Sequence, residues 1–192
     1  MTTIVIAEDE AIIRLDLREL LEEEGYVVVG EAGRGDQAVE LVRQLTPDLV
    51  ILDVKMPGMD GIEAARRITA EGICAVLMLT AFSQREIVEQ ARDAGAVAYL
   101  VKPFQKTELV PAIELATARY AETKALVSEV SELTERLEVR KLLDRAKGHL
   151  IDVHGMKEAD AFSFIQKSAM TKRATMRSVA EAVVKGELVP PA

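Results

Sequence analysis

The chain is poor in the residues that most often carry chemistry alone. Its 192 residues include one cysteine, two histidines, no tryptophan, three tyrosines and four phenylalanines. A lone cysteine, Cys74, excludes an intrachain disulfide and fits a reducing compartment. His149 and His154 have no metal-ligand spacing, so a histidine-based metal site is not expected. No Gly-x-x-x-x-Gly-Lys-[Ser/Thr] stretch occurs, which excludes a P-loop nucleotide site. No apolar run is long enough to cross a bilayer. The first ten residues, MTTIVIAEDE, offer neither a basic start nor an adequate apolar core for a secretory leader. The expected home is the cytoplasm, with no membrane partner.

Acid, by contrast, is plentiful, and unevenly spread. Residues 1–137 carry 14 Lys/Arg against 25 Asp/Glu, while residues 138–192 carry 10 against 7. An acidic front and a mildly basic tail suggest two domains, the second suited to a polyanion. With 49% hydrophobic and 29% charged residues, both should be packed and water-soluble.

The front is organised around Pro47–Gly61. Leu49 to Leu52 reads as a strand buried on both faces, Asp53 stands at its carboxyl end, and Met56-Pro57-Gly58 is loop punctuation. In open parallel sheets ligands bind beyond the carboxyl ends of the strands. That place suits Asp53 as a nucleophile or a metal ligand, and equally a turn or capping residue.

Similar strands precede and follow. Ile4–Ala7 runs into Glu8-Asp9-Glu10, Val27–Val29 is short, Cys74–Leu79 ends at Thr80, and Val97–Val101 ends at Lys102-Pro103. Helices separate them. The first carries Ile13, Leu17, Leu20 and Leu21 and closes at Gly25. The second, with Asp36 as a candidate cap, carries Ala38, Leu41, Val42 and Leu45. The third carries Ile62, Ala65 and Ile68 and closes at Gly72. The fourth opens on a Ser83–Glu86 capping box. Five strand–helix alternations predict a parallel sheet with helices on both faces. A long helix should start near Thr107, with Pro111 in its early turns, and continue past Gly148 to a turn at His154-Gly155. Within it Leu126, Val130, Leu133 and Leu137 follow four-three-four spacing, a seam for a partner helix or for the chain itself. Leu142, Leu143, Ala146, Leu150 and Ile151 form another apolar face. Two helices end the chain, one with Ala161, Phe162, Ile165 and Ala169 inward, the other with Met176, Val179, Ala180, Val183 and Val184. The expected fold is α/β, a five-stranded parallel doubly wound (flavodoxin-like) domain over 1–120, a helical linker over 121–137, and a three-helix all-α domain over 138–192.

Glu8, Asp9, Asp53, Thr80 and Lys102 all stand at strand carboxyl ends, so the sheet would gather them in one crevice. No histidine or cysteine lies near these positions in the chain, which argues against triad chemistry there. Three neighbouring carboxylates drive one another toward neutrality, and a hard divalent cation removes that conflict. Lys102 supplies a compact positive charge for a phosphate and Thr80 a hydroxyl donor. Such a set suits phosphoryl transfer to a carboxylate, giving an aspartyl-phosphate. Phosphatases of the haloacid-dehalogenase type place a second Asp two residues after the nucleophile; here Lys55 stands there. The acid that would protonate a leaving group is missing, which favours holding a phosphoryl group over turning it over, so enzymatic turnover is not expected.

Glu8-Asp9, Asp53, the loop Met56-Pro57-Gly58-Met59-Asp60-Gly61, Thr80 and Lys102-Pro103-Phe104 resemble the receiver domain of two-component response regulators. The resemblance covers residue 3 to about 120. It implies Asp53 as acceptor of a phosphoryl group from a sensor histidine kinase. It also implies a Mg²⁺ ion on Asp9, Asp53 and the Lys55 carbonyl, with Glu8 acting through water. Thr80 and Lys102 would hold the phosphoryl group, Tyr99 matches an aromatic switch position, and Lys102-Pro103 a cis peptide.

The tail resembles a second family. Arg140–Gly148, Glu158–Phe162, Ala169–Arg173 and Val179-Ala180 are similar to the ANTAR module, a three-helix RNA-binding output domain of transcription antiterminators. That implies binding to paired hairpins in nascent transcripts, in competition with a terminator. The seam at Leu126, Val130, Leu133 and Leu137, biased by a phosphoryl group at Asp53, predicts a homodimer on phosphorylation. The residues themselves offer Arg140, Lys147, Lys172, Arg173 and Arg177 as a basic face for phosphates. Phe164, at the edge of its stripe, is a candidate for base stacking, and Phe162 reads as core. Gly148 inside a helix costs about 1 kcal/mol against alanine, which either a close approach to the backbone or a helix packing contact would explain. No helix-turn-helix with a basic recognition helix is visible, so DNA is not the expected partner. Alternatives are a tail that only dimerises or docks protein, or a DNA-binding regulator.

Overall fold

A computed structural model describes residues 1–81 and 85–190. The chain divides into two compact units, Met1–Lys124 and Ala125–Ala192.

The first unit holds five strands, β1 (Thr3–Ala7), β2 (Val27–Ala32), β3 (Leu49–Asp53), β4 (Ala75–Thr80) and β5 (Ala98–Val101). They pair in parallel in the order β2-β1-β3-β4-β5. Parallel neighbours need a crossover, and the helices α1 (Ala11–Glu23), α2 (Gly35–Leu45), α3 (Gly61–Glu71) and α4 (Arg85–Asp93) provide it. The apolar runs of the central strands are explained by burial on both faces. Ile4, Ile6, Leu49, Ile51, Leu77 and Leu79 pack with Leu17 and Leu21 of α1 and with Leu109 and Ile113. The alternate residues Val5, Ala7, Val50, Leu52, Val76 and Met78 pack with Ala38 and Val42 of α2 and Ala64, Ala65 and Ile68 of α3. This period of two sends each strand's side chains to opposite cores.

α5 runs from Lys106 to His154, 49 residues with Pro111 in its second turn. In the second unit its last turns pack against α6 (Glu158–Lys172) and α7 (Met176–Val184). The core there is Ala146, Leu150, Ala161, Ile165, Ala169, Val179, Ala180 and Val183. Small residues dominate, so the helices approach closely.

Several local expectations are corrected. Asp36 does not cap α2; Arg34 occupies the N-cap and its guanidinium holds the Asp36 carboxylate at 2.9 Å inside the first turn. Cys74 precedes β4 rather than opening it. Ser83, half of the expected capping box, lies outside the described residues. Phe162 is 43% exposed, and Phe164 takes the inner side, because Ala161, Phe164 and Ile165 share a face that Phe162 leaves by a quarter turn. Ile151 is exposed for the same reason, one residue past the buried Leu150.

Candidate functional site

Glu8 and Asp9 follow β1, Asp53 ends β3, Thr80 ends β4, and Lys102 follows β5. The sheet order puts β1, β3 and β4 side by side, so their carboxyl ends share one edge. Glu8 is fully buried, Asp53 is 6% exposed and Thr80 2%, while Asp9 is exposed. Asp9, Asp53, Val54, Lys55, Thr80 and Lys102 line one crevice above that edge.

Main-chain bonds fix the crevice. Val54 N–H donates to the Leu79 carbonyl at 2.9 Å, and Lys102 N–H donates to the Thr80 carbonyl at 2.7 Å. Asp60 caps α3 by accepting from Glu63 N–H at 2.8 Å, and Gly61 N–H donates to the Val54 carbonyl at 3.0 Å. Gly61 is required there: a Cβ at this position collides with the Asp53 carbonyl oxygen. Arg14, one turn into α1, donates to the Glu8 carbonyl at 2.5 Å and pairs with Glu31 of β2 at 3.4 Å. It thereby ties the loop that bears Glu8 and Asp9 to the neighbouring strand.

The electrostatics centre on one cation. The Lys102 ammonium lies 2.9 Å from Asp53 Oδ1 and also pairs with Glu8 Oε2. Burial pushes the Glu8 carboxyl up and the nearby Asp53 charge adds to this, while the hydrogen bond from Lys102 opposes it. For Lys102, burial disfavours the ammonium, but hydrogen bonds and charges from Asp53 and Glu8 outweigh it and the pKa rises. Glu8, Asp9 and Asp53 each bring one carboxylate oxygen to within 4.8 Å of the others. Three oxygen donors, one of them buried and pushed toward protonation, fit a hard divalent cation, so this cluster could hold a metal ion.

Of the residues singled out in the sequence, Glu8, Asp9, Asp53, Lys55, Thr80 and Lys102 come together. Tyr99 does not enter the crevice. Ala98 and Leu100 pack on the α1 side, and Tyr99 alternates to the other face, 49% exposed. Lys102-Pro103 is cis. Cys74 is buried, which pushes its thiol up to about 12 and leaves it outside the chemistry. The sequence reading missed Arg14 and the contact made by Gly61. The spacing of Arg14, one helical turn after the acids, was the available signal.

The basic face of the second unit is less uniform than its sequence suggests. Lys147 is held by Asp144 at 2.9 Å and Glu158 at 3.2 Å, and Arg177 by Glu181 at 3.2 Å and Glu135 at 3.7 Å. Arg140, Lys172 and Arg173 are exposed, with Arg173 in the left-handed conformation (φ 50°) closing α6. Arg145, not singled out from sequence, is exposed and lines a groove with Lys141 and Arg177. A Cβ at Gly148 meets nothing within 4 Å. Packing between helices of this chain therefore does not explain the glycine.

The sequence matches the family described as response regulator receiver domain over residues 4–114 and the ANTAR domain over residues 131–184. It is 60% identical over 182 residues to the transcriptional regulatory protein PdtaR of Mycobacterium tuberculosis strain H37Rv, covering 95% of this chain and 89% of the relative. Against the chemotaxis protein CheY of Bacillus subtilis it is 40% identical over 111 residues, 57% of this chain and 92% of that protein. Among solved structures, the response regulator domain of Thermotoga maritima CheB superposes with a TM-score of 0.57 at 28% identity, covering 62% of this chain and 97% of that one.

Proposed function

This chain belongs to the response regulators that join a receiver domain to an ANTAR domain, and on that premise we propose a phosphorylation switch on RNA binding. Asp53 accepts a phosphoryl group from a phosphohistidine of a sensor kinase. The Asp53 carboxylate oxygen forms the new P–O bond as the P–N bond breaks, and the imidazole leaves. The observation that carries this reading is the Lys102 ammonium held between nearly buried Asp53 and buried Glu8, with exposed Asp9 at the mouth. Asp9, Asp53 and the Lys55 carbonyl, with Glu8 acting through water, would hold Mg²⁺, and the charge it would supply there would offset that of a transferring phosphoryl group. Lys102 follows the negative charge from the carboxylate to the phosphoryl oxygens, and the Thr80 hydroxyl donates to them. Because the Lys102 amide is bonded to the Thr80 carbonyl, the two loops move together and bias the β5 surface that bears Tyr99. The chain holds the group stoichiometrically and does not turn it over. In the phosphorylated state two copies associate and the ANTAR domains bind paired hairpins in a nascent transcript in the cytoplasm, opposing termination. Two linked weak contacts hold such RNA far better than one.

Asp53→Asn keeps the shape and removes the nucleophile. Labelling by a small phosphodonor is expected to vanish with the fold intact by circular dichroism; stable labelling of that variant sinks the assignment. A second reading, a tail that only dimerises or docks protein, is favoured by the exposed Leu126, Val130, Leu133 and Leu137. Filter binding with hairpin RNA separates the two.

A further inference from the structure

Of the three carboxylates at the crevice, Glu8 and Asp53 are held by burial and by the Lys102 ammonium. Asp9 is different. It is exposed, and no hydrogen bond or ion pair to a described residue holds its carboxylate. Its place depends on the main chain of residues 8–10.

That main chain has few anchors. Glu8 N–H donates to the Ala32 carbonyl at 3.0 Å on the β1 side, and the Glu10 carbonyl accepts from Arg14 N–H at 2.9 Å where α1 begins. Glu10, the N-cap of α1, makes no side-chain cap, and its own N–H reaches the Glu8 carboxylate only at 3.4 Å. Between these points the Arg14 guanidinium donates to the Glu8 carbonyl at 2.5 Å. A peptide unit is planar, so holding that carbonyl also sets the Asp9 amide and the direction in which the Asp9 side chain leaves.

Arg14 is itself aimed. Its Nε pairs with Glu31 of β2 at 3.4 Å. Glu31 also takes Arg18, one turn further along α1, at 2.9 Å, and Arg18 takes Glu22 at 2.9 Å. Two cations and two anions alternate, so this row is formally neutral. That matters beside a metal site, because an uncompensated guanidinium would repel a divalent cation. With Glu31 against it, Arg14 holds the loop at little electrostatic cost. The Arg14 and Glu31 side chains are 22% and 31% exposed, so water screens their pairing and it adds little to stability. Its effect belongs to geometry.

We propose that Arg14 is a positioning residue for the metal site: by gripping the Glu8 carbonyl it presents Asp9 to a divalent cation, while Glu31 aims the guanidinium and cancels its charge. The proposal rests on the Mg²⁺ reading given above and adds the side chains that set the affinity. Outer partners of metal ligands have effects of this kind, through orientation.

The test is Mg²⁺ binding to the unphosphorylated full chain by isothermal titration calorimetry, with Asp9→Ala marking the heat that belongs to this site. Arg14→Met keeps the stem and removes the guanidinium. Positioning and bare charge then give opposite signs. Loss of positioning is expected to weaken Mg²⁺ binding about tenfold. Tighter binding, as relief from repulsion would give, overturns the proposal, and so does an unchanged constant. Glu31→Gln is expected to weaken binding in the wild-type background and to add nothing in Arg14→Met. A further loss in the double variant means that Glu31 acts by charge alone and overturns its aiming role. Melting temperatures in excess chelator are expected to fall by no more than about 5 °C. If Arg14→Met unfolds instead, Glu31→Gln alone decides: an unchanged constant there overturns the proposal. If the wild-type chain shows no Mg²⁺ heat that Asp9→Ala removes, the metal reading fails and takes the proposal with it. Normal wild-type binding with an unaffected Arg14→Met overturns the positioning role alone.

Discussion

Gly61 and Gly148 are glycines for opposite reasons. The first has no room: a methyl group there meets the carbonyl oxygen of the candidate acceptor itself. Gly61→Ala should move Asp53, lower the rate of phosphate uptake at least tenfold and destabilise the first unit by about 1–3 kcal/mol, as overpacking does. Stopped-flow phosphorylation and urea titration read the two effects. At the second, an added Cβ meets nothing within 4 Å. Gly148→Ala should raise stability by about 1 kcal/mol because it removes a helix-interior glycine. If RNA approaches this backbone, affinity falls in the same variant. A rise in melting temperature with unchanged RNA binding would show that the open surface at Gly148 is not used. Glu8, Asp9, Asp53, Thr80 and Lys102 could be placed from sequence because each sits where an apolar strand stops, and a parallel sheet puts such stops on one edge; Lys55 entered only through the family resemblance. Arg14 and the Gly61 contact were missed: the spacing of Arg14 hints at a contact with the acids, but the direction of its side chain and how closely the loop returns to the strand are not written in the sequence. Lys147 shows the same limit in part: Asp144, three residues back, is visible in the sequence, but its second partner, Glu158 on the next helix, is not.

At the scale of elements, α5 carries the sharpest contrast. Its residues near Leu109 and Ile113 close one core, its residues near Ala146 and Leu150 close another, and the stretch between them presents Leu126, Val127, Val130, Leu133 and Leu137 to water. The seam was visible as spacing, but its exposure was not, because periodicity does not say which face a neighbour covers. Val130→Glu with Leu133→Glu puts charge into both central layers. Sedimentation of the phosphorylated protein should then show a monomer, Asp53 labelling should be unchanged, and RNA affinity should fall by tenfold or more. The sequence reading singled out Asp36 as a cap and passed over the two that do cap, Asp60 before α3 and Thr175 before α7, whose side chains accept from Glu63 N–H and Ser178 N–H. Arg34 before α2 makes no such cap.

Across the whole molecule, formal charge is −8, and the excess of acid lies in residues 1–137. A polyanion that comes within a screening length of that acid, roughly 10 Å at 0.1 M salt, meets repulsion. A fragment of residues 125–192, which has its own core, should bind hairpin RNA more tightly than the unphosphorylated full chain at low salt. The gap should close as salt rises, and fluorescence anisotropy across a salt series reads it. A gap that stays constant from 50 to 500 mM salt excludes electrostatic repulsion as its cause. The ion pair between Lys102 and Glu8 has a further consequence, which concerns synthesis. Its two partners are 94 residues apart in the chain. At about 5–20 residues per second, the ribosome delivers Lys102 roughly 5–20 s after Glu8. Throughout that interval the nascent carboxylates have no ammonium to share, and the last strand of the sheet has not been made. Competence to take up phosphate therefore arrives only with the completed sheet, and on stalled ribosomes labelling of Asp53 would time the moment the edge strand docks.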